Sequence, residues 1–140
     1  MRFLAVKWAG RLAGPLACLS VLAGISAGIA ADRNFPYDDT LLLEAKPMKG
    51  SKRVPILQIE SRGEASIDLW CNTVPAQLVV ADNTITIILG SPTQRQCDRD
   101  RMQADENLMA ALQQVASWRR LDDLLVLEGE RSLRFRLSSN

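Results

Sequence analysis

The apolar residues of this chain keep a period of two in one segment after another and change to a helical period only once. Along residues 66–71, Ile67, Leu69 and Cys71 alternate with Ser66, Asp68 and Trp70. Residues 84–89 place Ile85, Ile87 and Leu89 on one side and Thr84 and Thr86 on the other. Residues 132–137 alternate Leu133, Phe135 and Leu137 with Arg134 and Arg136. A period of two marks a strand buried on one face. Apolar runs at 40–45, 56–60, 77–81, 117–121 and 124–127 read as further strands. Asp82-Asn83 and Asp122-Asp123 separate neighbouring runs. Asx residues tolerate the positive φ of a tight hairpin turn.

The helical period falls between residues 100 and 117. Ala104, Leu108, Ala111, Leu112 and Val115 recur on one face there, and Asp98, Asp100, Asp105 and Glu106 crowd the early turns. Acidic groups suit the positive end of a helix dipole. Helices do not alternate regularly with strands, so a parallel doubly wound sheet is excluded. The expected fold is α+β, an antiparallel sheet curled against a single long helix.

The N-terminal segment predicts export. Arg2, Lys7 and Arg11 precede a charge-free apolar run from 12 to 29, and Gly28-Ile29-Ala30 supplies a small-x-small cleavage pattern. Residues 1–30 are therefore expected to be a signal peptide, 31–39 a short leader and 40–138 one domain, periplasmic or secreted after cleavage near Ala30. A retained anchor is the rival reading, since about 20 residues can span a bilayer. Gly14, Pro15, Gly24 and Gly28 argue against that span. Acylation of Cys18 is a second rival, opposed by Pro15 where a lipobox carries an aliphatic residue.

Export changes how the cysteines and the charge read. Cys18 would leave with the signal, and Cys71 and Cys97 remain as an even pair in an oxidising compartment. The expectation is one disulfide, with two buried free thiols as the alternative. Arg2, Lys7 and Arg11 account for three of the 17 basic residues, so 14 face 16 acidic ones and the mature net charge is −2. Nothing there predicts a nucleic-acid partner, which would select a basic stripe.

Catalytic constellations are scarce. With no histidine in the chain, Ser-His-Asp and Cys-His arrangements are impossible and a zinc site is disfavoured. Asp38-Asp39 and Asp122-Asp123 read as turn residues. The spacing of Asp98, Asp100 and Asp105 does not match a calcium loop. No catalytic, metal or cofactor residue is expected, and a carboxylate-only hydrolase is the weakest option. The basic stretch 46–53 reads as a solvated hairpin loop. Trp118 suits either a core or a contact role. If Cys71 faces in, Trp70 faces out or lies under a loop, and facing out it is a candidate partner contact.

Trp70-Cys71-Asn72, the hairpin through Asp82-Asn83, the irregular stretch ending at Cys97, the helix with Leu108 to Leu112, Trp118 and the terminal Leu133-Arg134-Phe135 together resemble the META domain. This is the family of the heat-inducible envelope protein HslJ. Cys71 and Asn72 match the Cys-Asn of its signature, and Thr93 with Cys97 matches its second element. Trp70 and Ala76 stand where the family carries glycine. The resemblance implies an α+β fold, an envelope location, links to stress tolerance and secretion, and no catalytic residues. The function expected is a non-enzymatic envelope domain that binds an envelope protein or lipid and keeps no membrane span after cleavage. The alternative is a small carrier of apolar ligands or lipids.

Overall fold

Eight antiparallel strands run β1 (Thr40–Leu43), β2 (Ile56–Ile59), β3 (Glu64–Asp68), β4 (Thr73–Ala81), β5 (Thr84–Leu89), β6 (Ser117–Leu121), β7 (Leu124–Glu128) and β8 (Leu133–Leu137). One helix, α1 (Arg99–Gln113), connects β5 to β6. The computed structural model describes residues 34–139, so the expected signal segment lies outside the described residues. Each strand pairs with the next, and β8 pairs with β1 through Leu41↔Leu137 and Leu43↔Phe135. The sheet is therefore a closed barrel, which corrects the expected α+β sheet curled against one long helix. The physical reason is that side-chain alternation reports which face of a strand is buried and says nothing about whether the first strand meets the last. Closure abolishes the two outer edges that an open sheet would leave exposed.

The core is the barrel interior. Leu41, Leu57, Ile67, Val74, Leu125 and Phe135 are fully buried, each from a different strand. Burying a side chain of this size contributes about 1.5–3 kcal/mol relative to leaving it in water. Alternation places their neighbours outside, with one exception. Leu124 to Leu127 are all buried, because outward Val126 lies in register between Arg119 and Arg134, whose long aliphatic stems can cover apolar surface. From the leader, Phe35 is buried and meets Trp118 edge to face, ring centroids 5.0 Å apart. Trp118 is thus a core residue.

Local signals explain the connections. Asp82 and Asp122 take positive φ in the two tight turns. Gly63 also has positive φ, and a Cβ there would meet the Leu78 carbonyl oxygen at 2.3 Å. Neither Trp70 nor Ala76 takes positive φ, so the chain passes both positions without the freedom of the family's glycines. The helix is shorter than the expected 100–117. Asp98 caps its start by accepting from the Arg101 N–H at 3.0 Å, and Gln114 ends it. Val115 is buried beyond that end, which is why the apolar period outlasts the helix.

The β1–β8 seam carries an ion-pair cluster. Glu44 follows β1 and accepts from Arg134 Nε at 2.8 Å and from Arg136, which also pairs with Asp123. The hydrogen bond from Arg134, then that from Arg136, hold the Glu44 carboxyl below its ordinary range. The Glu44 hydrogen bond chiefly holds Arg136 above its own. A depressed carboxyl contributes stability above the unfolded value, about 4.3, and that stability is lost as pH falls through the folded value. A side-chain NMR titration should place the Glu44 midpoint below that of an ordinary glutamate. Arg134→Gln should move it upward. An unmoved midpoint would mean that the cluster does not persist in solution.

Candidate binding site

The site is built where β3 ends. The chain turns through residues 69–72 into β4, and three successive backbone N–H groups in that turn point at one carboxylate. Trp70 N and Cys71 N donate to Asp105 Oδ1 at 2.8 and 3.1 Å, and Asn72 N donates to Oδ2 at 2.8 Å. Asp105 is 3% exposed and is the buried charged residue of the described core. Consecutive amides of this kind form a concave anion seat, and here the anion is the protein's own side chain. The sequence counted Asp105 among the acidic residues of the helix start. The structure places it past the first turn, on the inner face with Leu108 and Leu112. Its spacing, three before Leu108 and seven before Leu112, was the available signal: an acidic group on an apolar stripe needs partners from elsewhere in the fold.

Asn72 carries the clamp onward. Its Oδ1 accepts from the Arg95 N–H at 2.7 Å and from Thr93 Oγ1 at 2.9 Å, while Nδ2 faces Asp105 at 3.4 Å. A backbone N–H can only donate, so this assigns the amide orientation. Thr93 Oγ1 accepts in turn from Thr73 N at 3.0 Å, and Thr93 N donates to the Thr73 carbonyl at 2.9 Å. The segment between β5 and α1 is strapped across the start of β4 by these bonds. The Cys71–Cys97 disulfide closes the strap, Cα to Cα 6.1 Å. Cys71, Asn72, Thr93 and Cys97 therefore meet at one end of the barrel.

Reduction of Cys71–Cys97 should destabilise the protein by about 3.5 kcal/mol, the chain-entropy value for a loop of this length. Urea melts with and without reductant measure it. Equal midpoints would show that the hydrogen bonds of the strap hold this end alone.

A cleft of about 500 Å³ opens beside this clamp, bordered by Arg53, Asp68, Trp70, Arg95, Arg101 and the disulfide. Trp70 is half-buried and lines it rather than standing free on the surface. The stretch 46–53, expected to be a solvated hairpin loop, contributes Ser51 and Arg53 to the wall. A second hollow of about 280 Å³ lies between residues 92–96 and the helix, bordered by Met102 and Met109. The carboxylate pairs Asp38-Asp39 and Asp122-Asp123 lie at turns away from the cleft, and Asp98 is committed to the helix cap. Among the described residues no three His, Cys, Asp or Glu side chains are placed to hold a metal, and no helix is long and apolar enough to cross a membrane.

A small closed antiparallel barrel with a disulfide-braced strap at one end defines the class. The chain belongs to the META domain family, whose model matches residues 38–140. Two solved structures share the fold. An NMR structure of a protein from Burkholderia xenovorans is 19% identical with a TM-score of 0.60, covering 74% of this chain and 84% of that one. A second NMR structure is 16% identical with a TM-score of 0.60, covering 78% and 95%. No curated protein matches the chain.

Proposed function

We propose that this chain is an exported, non-enzymatic domain of the cell envelope that holds an envelope component in the cleft beside Cys71–Cys97, and so supports stress tolerance or secretion. The cleft carries the reading. Its volume falls within the range of small-molecule sites, and its floor is fixed before any ligand arrives by the Asp105 clamp and the disulfide. A rigid site binds without the cost of ordering itself. Guanidinium and indole groups on its wall can orient a ligand, and the reading needs no reaction. The disulfide suits an oxidising compartment, and the segment before Ala31 supports delivery there.

A carrier of apolar ligands is favoured by one observation, the two methionines bordering the smaller hollow. The barrel interior itself is filled by Leu41, Leu57 and Phe135, so an apolar ligand would sit outside it.

Two measurements test the proposal. N-terminal sequencing of the exported protein should begin at Ala31. A photo-crosslinking residue at Gln96, which lines the cleft, should capture an envelope component in cells, while the same probe at Leu121, exposed on β6, should not. Identical adducts from both positions, or none from Gln96, would remove the cleft from the function.

A further inference from the structure

We infer that the cleft is a site for a phosphate group carried by a small molecule or a headgroup. The inference rests on the binding role proposed for that cleft and adds the chemistry of the ligand.

Three arginines reach the cleft from three separate segments. Arg53 comes from the loop before β2, Arg95 from the strap and Arg101 from the first turns of α1. Elsewhere Arg62, Arg119, Arg134 and Arg136 each pair with a carboxylate, while Arg120 and Arg131 donate to backbone carbonyls; what sets the cleft apart is that three guanidinium groups converge there. Arg53 and Arg95 form no ion pair among the described residues. Arg101 is only partly satisfied. Its Nε lies 3.1 Å from Asp98 Oδ2, yet that N–H is shielded from water with no acceptor in line. Asp68 is the carboxylate on the cleft wall, and its Oδ1 already accepts from Thr73 Oγ1 at 2.7 Å. The cleft therefore keeps a local positive excess on a domain whose expected mature net charge is negative.

The arrangement selects phosphate over carboxylate. A carboxylate is planar and is filled by one guanidinium fork. A phosphate monoester offers three acceptor oxygens pointing apart and a charge near −1.5 to −2, and a diester headgroup keeps two of those oxygens and one negative charge; both are tetrahedral and suit donors arriving from several sides. Trp70 supplies an apolar wall for whatever carries the phosphate. Neither Arg53 nor Arg95 supports the fold through its side chain: Arg95 holds the strap by its backbone N–H, and Arg53 accepts and donates near Ser51 through its backbone.

The test uses the oxidised, isotope-labelled protein and four probes at matched ionic strength: inorganic phosphate, glycerol 3-phosphate, vesicles containing phosphatidylglycerol, and vesicles of phosphatidylcholine alone. Phosphate probes should shift the amides of Asn72, Thr73, Arg95 and Cys97 saturably, and chloride should not. The R53Q/R95Q double variant should weaken binding at least tenfold with unchanged thermal stability, whereas R119Q on β6 should bind like the parent. Cleft shifts with the two soluble phosphates and none with vesicles assign a free phosphate compound. Arginine-dependent retention on phosphatidylglycerol vesicles above the phosphatidylcholine background assigns a lipid headgroup. Shifts that do not saturate, that chloride reproduces, or that survive R53Q/R95Q overturn the inference. If the Gln96 adduct still forms in R53Q/R95Q, the phosphate chemistry falls and the binding role stands.

Discussion

Replacing Asp105 by alanine should lower stability by about 3 kcal/mol or more, the cost of leaving several buried donors without their acceptor. The change deletes the acceptor for three amides at once, those of Trp70, Cys71 and Asn72. Each buried donor left without a partner costs about 1–3 kcal/mol, and water entering the vacated space offsets part of that. At about 4–8 °C per kcal/mol for a domain of this size, the melting temperature should fall by more than about 12 °C. Asp105→Asn separates charge from shape. It keeps the volume but turns one oxygen into a donor facing other donors, so it should recover only part of the loss. The clamp and the disulfide share Cys71, and their effects should therefore not add. Destabilisation by Asp105→Ala in the reduced protein should be smaller than in the oxidised one. Equal melting of Asp105→Ala and the parent would show that the 70–72 turn is held by other contacts.

Leu112→Asp should unfold the protein outright. Leu112 is fully buried on the inward face of α1, and no hydrogen bonds there parallel the three amides that donate to Asp105. An unpaired carboxylate there costs several kcal/mol, which rivals the whole stability of a small domain. Arg134→Glu is the matched control. It replaces a surface cation paired with Glu44 by a second carboxylate, a small effect at an exposed position, and should leave a folded protein that melts slightly lower. Thermal melts of both variants decide the matter. A cooperative, parent-like melt for Leu112→Asp would mean that the helix does not pack on the barrel as described.

The contrast between these two acidic positions on one helix shows what the sequence carries and what it does not. Alternation at Ile67, Ile85, Ile87 and Phe135 located strands and their inner faces, because burial of one face is a local property. The turns at Asp82 and Asp122 were legible for the same reason: a positive φ is a demand made on one residue. Barrel closure was not legible. It depends on Leu41 meeting Leu137 across the whole domain, and no window of sequence contains both. Strand β4 starts earlier than the expected residue 77, at Thr73, and runs through Pro75, which lies in register with Ser66. At the site, the cysteine pair could be anticipated from number and compartment. The Asp105 clamp could not, since its partners are backbone amides, which every residue has. The role of Arg53 and Arg95 was hidden likewise, because a surface arginine becomes informative only when its neighbours in space are known.

Closure of the barrel also has a consequence for how the chain is made. Synthesis proceeds from the N-terminus, so of the eight strands β1 emerges first and its partner β8 emerges last. Until Leu137 is available, one rim of the growing sheet has unfilled main-chain groups, and Leu41 lacks a neighbour that completes its burial. A nascent chain stalled before residue 133 is thus an unfinished, adhesive ribbon rather than a smaller stable protein. Residues 133–137 decide whether the barrel closes, and a stop codon just before them would leave β1 without its partner.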